Sequence, residues 1–159
     1  MKALVIYESF FGNTEKITQA IGKGLGSSAD VEVRKVADVQ PEQLKGLDLC
    51  IVGSPTRAFS PSPGTKRFLK KIHAGGLQGL RAAAFDTRIS EDDAKPRALR
   101  FLMKLFGYAA EPISMKLGKK GAEIIVAPEG FCVNNTKGPL KDGELERATA
   151  WAKQIVEKL

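Results

Sequence analysis

Three polar stretches in this chain each follow an apolar run and carry side chains that could bind an anionic ligand. The first lies between the apolar run 3–7 and a helical pattern, and it consists of Ser9, Phe10, Phe11, Gly12, Asn13 and Thr14. A strand that turns through a glycine into a helix leaves unpaired N–H groups and the positive end of the helix dipole facing outward. Gly12 permits close approach of the backbone, and the hydroxyl and amide side chains can donate further hydrogen bonds.

The chemistry that this first stretch favours is retention of a phosphate, since it contains no cationic side chain. Neutral donors and a helix dipole suit a monoester that stays bound, rather than a phosphoryl group that is transferred with Mg²⁺. A turn that merely caps the following helix would use the same residue types. The residues alone leave both interpretations open.

The second stretch, residues 53–61, is predicted to form a wall beside that anion site. Prolines stiffen it, Thr56 supplies a hydroxyl, and Phe59 could cover a planar ligand or instead fold back on the core. The candidate ligand contacts in this stretch are Pro55, Thr56, Arg57, Ala58 and Phe59.

The third stretch is predicted to be a loop that follows the apolar run 82–85 and contains Asp86, Thr87 and Arg88. Its backbone N–H groups would face the edge of the ligand, and Arg88 would add a permanent positive charge. The alternative interpretation is a surface salt bridge between Asp86 and Arg88.

The elements that would position these stretches alternate along the chain. Apolar runs at 3–7, 49–52, 82–85 and 124–127, with a weaker alternating run at 31–36, suit strands of a parallel sheet. Helical patterns lie between them, with apolar stripes at 17–25, 65–72, 99–106 and 145–159. This order predicts an α/β fold, a doubly wound five-stranded parallel sheet with helices on both faces, in a single domain over residues 1–159. Ligands of such sheets bind at the carboxyl ends of the strands, where all three stretches lie.

Composition restricts the possible partners but does not select one. The chain has 159 residues, 43% of them hydrophobic, and a formal net charge of +7. No apolar run is long enough to span a bilayer and no leader pattern is visible, so we expect a cytoplasmic protein without a membrane partner. Basic residues without interleaved aromatic residues do not favour nucleic acid. Cys50 and Cys132 lie in apolar runs, which predicts reduced structural thiols and no metal site.

Other proteins with this type of architecture are excluded by specific residues. A phospho-acceptor receiver domain needs an Asp after the third strand, where Gly53 and Ser54 stand. A low-molecular-weight phosphatase needs a Cys and an Arg in the first loop, and a nucleotide-binding loop needs a Gly-Lys-Ser/Thr sequence. Neither pattern occurs. We also expect the acidic run 91–93 to cap the following helix and the lysines 116, 119 and 120 to lie in a solvated loop.

Over nearly its whole length the chain resembles the flavodoxin family. The first stretch is similar to the family's phosphate loop, with Phe11 in place of the usual Thr, and Gly53-Ser54-Pro55-Thr56 resembles the loop after the third strand. Residues 138–152 resemble the end of flavodoxin-like sequences. The resemblance implies the flavodoxin-like strand order 2-1-3-4-5, FMN as cofactor at the first and third strands, and electron transfer to a redox partner protein.

The chain also departs from the usual pattern of that family. Its second and third stretches contain no Trp or Tyr to stack on the flavin, and Arg57, Lys66, Arg67 and Arg88 surround a site that is acidic in typical carriers. Positive charge stabilises an anionic reduced flavin, so we expect a less negative potential and an acidic partner. The alternatives are an FMN-dependent reductase of a small acceptor such as a quinone, and an interaction or regulatory domain that has lost tight flavin binding. No acid–base dyad is visible, which favours a carrier, monomeric or homodimeric.

Overall fold

A computed structural model describes residues 1–27 and 29–159 of the chain. Its centre is a parallel sheet in which the strands β1 to β4 stand in the order β2-β1-β3-β4. Two further segments, β5 and β6, pair one after the other with the outer side of β4 and together occupy the fifth position. The bounds are Lys2–Tyr7 (β1), Asp30–Lys35 (β2), Leu49–Pro55 (β3), Arg81–Ile89 (β4), Glu123–Ile124 (β5) and Glu129–Val133 (β6). The predicted fold class and strand order are confirmed.

Burial of the strands follows their sequence pattern. The central strands β1, β3 and β4 are covered on both faces, and their side chains are almost continuously buried. Strand β2, at one edge, alternates between half-buried valines and exposed charged residues. The fifth position departs from the prediction, because the run 124–127 is strand only up to Ile124 and pairing with β4 resumes at Glu129.

Two helices cover each face of the sheet. Helices α1 (Asn13–Gly24) and α5 (Glu144–Glu157) pack over one face, whose buried cluster includes Phe85, Phe131 and Trp151. Helices α2 (Pro63–Lys71) and α4 (Ala110–Lys119) cover the other. Cys50 is buried in that second cluster, and burial raises the pKa of its thiol to about 12, so the thiol stays protonated.

Helix α3 (Arg97–Phe106) corresponds to the predicted stripe at 99–106, but it does not cover the sheet. Met103 is its only buried residue, and α4, which the sequence did not reveal, packs on β4 instead. The lysines at 116 and 119 therefore lie in a helix rather than a loop. The acidic run forms a short 3₁₀ turn, Glu91–Asp93, and does not cap α3, which begins after Pro96.

No helix within the described residues combines the length and the apolar character needed to cross a bilayer.

Candidate functional site

A cleft of about 240 Å³ opens at the carboxyl ends of β1, β3 and β4. It is lined by all of the predicted site residues except Gly12, Phe59 and Asp86. The three sequence stretches are therefore brought to one place, as expected for parallel strands whose carboxyl ends share an edge of the sheet.

The first stretch presents free backbone donors at the start of α1. Gly12 precedes the helix with φ 85° and ψ −6°, a left-handed conformation that favours glycine. Within the described residues, the amides of Asn13, Thr14 and Glu15 have no hydrogen-bond acceptor, since the first helical bond runs from the Lys16 amide to the Gly12 carbonyl, 3.1 Å. These amides and the helix dipole form an anion-binding terminus.

Buried hydroxyls join the start of α1 to β4. Thr14 and Thr87 share a hydrogen bond of 2.8 Å between their Oγ1 atoms, and both residues are buried. The Gly12 amide donates to Ser9 Oγ at 3.1 Å, which closes the turn. Thr87, predicted on a separate stretch, thus fixes the position of the first loop.

The second stretch is a tight hairpin turn on a rigid base. Strand β3 continues to Pro55, and a two-residue turn then joins Arg57 to Ser60 through reciprocal backbone hydrogen bonds of 2.9 and 3.1 Å. At its centre, Ala58 and Phe59 have φ values of 46° and 63°, which are strained for residues with a side chain. The Thr56 amide donates to the Thr87 carbonyl, so this loop is joined to β4.

Phe59 does not lie in the cleft. Its ring packs against Phe106 of α3, with centroids 5.7 Å apart, and it lines a different groove. The aromatic rings in the cleft are Phe10 and Phe11 of the first loop, both about half exposed, with the Arg57 guanidinium 5.1 Å from the centroid of Phe10. The proposal that Phe59 covers a planar ligand is therefore corrected, because the strained turn directs its ring to the other side.

The third stretch is a strand rather than a loop. Residues 85–89 belong to β4, where 85–87 pair with both β3 and β6 and Arg88 and Ile89 pair with β6 alone, so this segment is part of the sheet and not a loop that faces a ligand. Asp86 is completely buried, and its carboxylate accepts hydrogen bonds from the Arg88 side chain and from the Ala110 amide at the start of α4. Asp86 therefore organises the fold and is removed from the candidate ligand contacts.

The predicted pairing of Asp86 with Arg88 is present but buried rather than on the surface. Two hydrogen bonds of 2.6 Å join the side chains, and Arg88 also lies 3.8 Å from the ring centroid of Tyr108. Burial by itself lowers the pKa of the guanidinium, but the hydrogen bonds and charge of Asp86 raise it overall. Arg88 reaches the cleft with its charge largely neutralised, while Arg57 has no ion-pair partner within the described residues.

A fourth segment, which we did not predict from the sequence, completes the cleft. Val133, at the end of β6, and Thr136 line it, together with Ile89. Asn13 Nδ2 donates to the Lys137 carbonyl at 3.1 Å, which joins this segment to the first loop. The only feature of the sequence that could have indicated this segment is its place in the chain. It follows a strand of the sheet, and ligands of such sheets bind at the carboxyl ends of the strands.

Fold and cleft together define a doubly wound α/β protein with an anion-binding loop at the point where the strand order reverses. A family model described as "Flavodoxin domain" matches residues 4–120, and the chain belongs to the flavodoxin family. Flavodoxins are FMN proteins, so the predicted cofactor is confirmed at the level of the family.

Individual relatives agree with this assignment. A flavodoxin of Aquifex aeolicus (strain VF5) is 29% identical over 127 residues, which cover 75% of this chain and 69% of the relative. The structure of a flavodoxin from the domain Archaea aligns with TM-score 0.74 and 25% identity over 99% of this chain and 98% of that one. Oxidised Flavodoxin 2 from Bacillus cereus, at 22% identity, shares the fold with TM-score 0.80 over the full length of both chains.

Proposed function

We propose that this chain binds FMN in the cleft and acts as an electron-transfer protein. The observation that carries the proposal is the set of free amides at the start of α1, behind a left-handed Gly12 and open to the cleft. These donors, with the side chains of Ser9 and Asn13, would hold the phosphate of the cofactor. When bound, FMN supplies the one- and two-electron redox chemistry.

The walls of the cleft suit the planar part of the cofactor. Pro55, Thr56 and Ala58 form one side on a rigid hairpin, and Arg88, Ile89 and Val133 line the same space. Phe10 and Phe11 supply the aromatic surface that the second and third stretches lack. These side chains would bind and orient the ring and reduce its contact with water.

The charge around the cleft favours an acidic redox partner. Arg57 is exposed and unpaired within the described part of the chain, and Lys137 lies with its ammonium 6.0 Å from the ring of Phe11. Positive charge at this rim would steer a negatively charged protein to the exposed edge of the flavin. It would also make the reduction potential less negative than that of an acidic carrier.

FMN binding is tested by titrating the purified protein with FMN and recording the visible spectrum and the quenching of flavin fluorescence. In Gly12→Asp, we expect binding to weaken by at least 100-fold, because a carboxylate would stand at the anion site on a strained backbone. Gly143→Asp is a matched control, since Gly143 precedes α5 with nearly the same dihedral angles, φ 82° and ψ −6°, but α5, unlike α1, contributes no residue to the cleft. Binding by wild type and Gly143→Asp but not by Gly12→Asp supports the proposal.

A failure of the wild-type protein to bind FMN at millimolar concentration would contradict the proposal and favour the interaction or regulatory domain. Riboflavin is a second probe, because it lacks the phosphate. If riboflavin binds as tightly as FMN, the amides of α1 do not hold the phosphate.

A further inference from the structure

Helix α3 turns an apolar ridge away from the body of the protein. Ala98, Phe101, Leu102 and Leu105 follow each other at the spacing i, i+3, i+4, i+7, so they share one side of the helix. The exposed fractions are 66% for Phe101 and 63% for Leu105, whereas Met103 is buried against the protein. These four residues, called the α3 ridge below, are exposed, and three of them, Phe101, Leu102 and Leu105, place large apolar side chains in water.

The cations beside the ridge have no acidic partner. Lys95, Arg97, Arg100 and Lys104 lie between residues 95 and 106, a segment that contains no Asp or Glu. None of the four forms an ion pair within the described residues. Arg100 donates to the backbone carbonyls of the 3₁₀ turn, so its charge is held at the base of the helix.

The combination of exposed apolar side chains and neighbouring cations extends beyond α3. Phe106, which is 61% exposed, continues the apolar surface to Phe59 and to a groove of about 690 Å³. Lysines at 66, 70 and 116 line this groove, and none of them is ion-paired in the described part of the chain. The surface is therefore apolar at its centre, with cations along α3 and the groove, and with the acidic turn Glu91–Asp93 beside the start of α3.

The positive charge of this surface distinguishes between the molecules that could bind to it. A second copy of the chain would bring like charges together across the contact. The occupant must therefore be anionic, and it must also accept a protruding ridge that offers no hydrogen-bonding side chain. A lipid bilayer fulfils both requirements, since acyl chains accept apolar side chains and anionic headgroups accept the flanking cations.

We propose that α3 and its basic flanks bind the surface of an anionic membrane. The helix lies in the plane of the headgroups, with Phe101 and Leu105 inserted and Arg97 and Lys104 at headgroup level. The absence of a spanning segment, from which the sequence predicted no membrane contact, does not bear on this mode of binding. Because Phe106 contacts Phe59 and Tyr108 contacts Arg88, the α3 surface adjoins the cleft.

The test is sedimentation of the full chain with vesicles of phosphatidylcholine alone or mixed with phosphatidylglycerol. We expect binding to the anionic vesicles that weakens with added salt, and little binding to the neutral ones. The variant Phe101→Ser/Leu105→Ser should lose at least tenfold in affinity, and both positions are exposed enough that folding is retained. Leu145→Ser on α5, which is 42% exposed on the opposite side of the sheet, is the apolar control and should bind like wild type.

A second pair of variants separates the local effect of charge from the overall net charge. Arg97→Gln/Lys104→Gln should lose about tenfold or more in affinity, because both cations would lie against the anionic headgroups. Lys23→Gln/Lys153→Gln, with the same net charge but on α1 and α5, should bind nearly as well as wild type.

The proposal is overturned if anionic vesicles do not bind at low salt, or if the α3 variants bind as tightly as their controls. Either result would leave an acidic protein as the occupant of the surface. The assay does not use flavin, so its outcome is independent of whether the chain binds FMN.

Discussion

At the scale of single residues, the pair Asp86 and Arg88 shows why a charged group near a cleft need not be a ligand contact. Asp86 is buried beneath the cleft, where it accepts from Arg88 and from the amide that begins α4. Gly130 makes room for the pair, since a Cβ there would stand 2.2 Å from Arg88 Nε. The pair therefore joins β4, β6 and α4 at the edge of the site.

Removal of the cation from this pair should destabilise the protein strongly. Arg88→Ala leaves a buried carboxylate without its counter-ion, which costs about 3–5 kcal/mol in the free energy of unfolding. Glu32 and Arg34 provide the matched control, because they form the same i, i+2 pair on a strand but are exposed. Arg34→Ala should change stability by less than about 1 kcal/mol in urea titrations. Equal effects of the two substitutions would contradict the structural role of Arg88.

Arg57, rather than Arg88, should control the potential of the bound flavin. Its guanidinium lies over Phe10 in the cleft wall with no carboxylate to neutralise it in the described residues. In Arg57→Ala, we expect the midpoint potential of bound FMN to fall by tens of millivolts, on the order expected for one partly screened charge. Arg57→Lys retains the charge and should retain most of the potential. A redox titration in which Arg57→Ala and wild type agree would contradict this assignment.

At the scale of elements, the hairpin turn at 57–60 stores strain beside the cleft. Ala58 and Phe59 occupy consecutive left-handed positions, which suit Asn-Gly far better than residues with larger side chains. Ala58→Gly should raise the free energy of unfolding by about 0.5–1 kcal/mol. Ala150→Gly, at an exposed position in the interior of α5, should lower it by about 1 kcal/mol. Denaturant titration measures both changes in the free energy of unfolding. A loss of stability in Ala58→Gly would show that the turn is not strained.

The start of α5 is joined to β6 by an acid-sensitive contact. Glu144 accepts from the Cys132 amide and from Arg147, which also pairs with Glu129. Burial opposes ionisation, but these hydrogen bonds lower the pKa of Glu144 overall. Since the folded-state pKa is below its usual value, the stabilisation is complete above that value, near 4.5, and is lost as the pH falls through the folded pKa.

The resulting prediction concerns the slope of stability with pH. Glu144→Gln should be less stable than wild type at pH 7 by about 1–3 kcal/mol, because it removes a charge-assisted contact. The difference should shrink as the pH falls from about 5 toward 3, since protonation removes the same contact from wild type. Urea unfolding at a series of pH values measures this. A constant difference between the two proteins would contradict the linkage.

The sequence predicted the elements better than the way they pack. The runs 3–7, 49–52 and 82–85 are apolar because both faces of those strands are covered, and short continuous apolar runs are typical of buried parallel strands. The stripe of α3 is also strongly amphipathic, but periodicity does not tell whether an apolar face turns toward the sheet or toward solvent. In the same way, the sequence placed Phe59 in the correct loop but did not give the direction of its side chain. The left-handed turn at Ala58 and Phe59 directs the ring out of the cleft and against Phe106.

At the scale of the whole molecule, several cations without an ion-pair partner in the described residues lie near the cleft and α3. The exposed pair on β2 and the ion pairs around α5 neutralise parts of the surface, while α2, α3 and the loop at 57 carry unpaired cations within the described residues. The cleft and the α3 ridge lie beside these cations. Part of the net charge of +7 therefore lies beside the cleft and the α3 ridge, where it would act on an approaching anionic partner or surface.

The sign of the electrostatic potential at the bound flavin can be measured with two small oxidants, one an anion and the other a cation. If the FMN-loaded protein is reduced and then mixed with ferricyanide, an anion, its rate of oxidation should fall as ionic strength rises from about 0.01 to about 0.5 M. With hexaammineruthenium(III), a cation, the rate should rise over the same range, because salt screens the repulsion. Arg57→Ala should reduce both dependences, whereas Lys153→Gln on α5 should leave them unchanged. If the two oxidants respond to salt in the same direction, the field at the cleft is not positive and steering of an acidic partner is excluded.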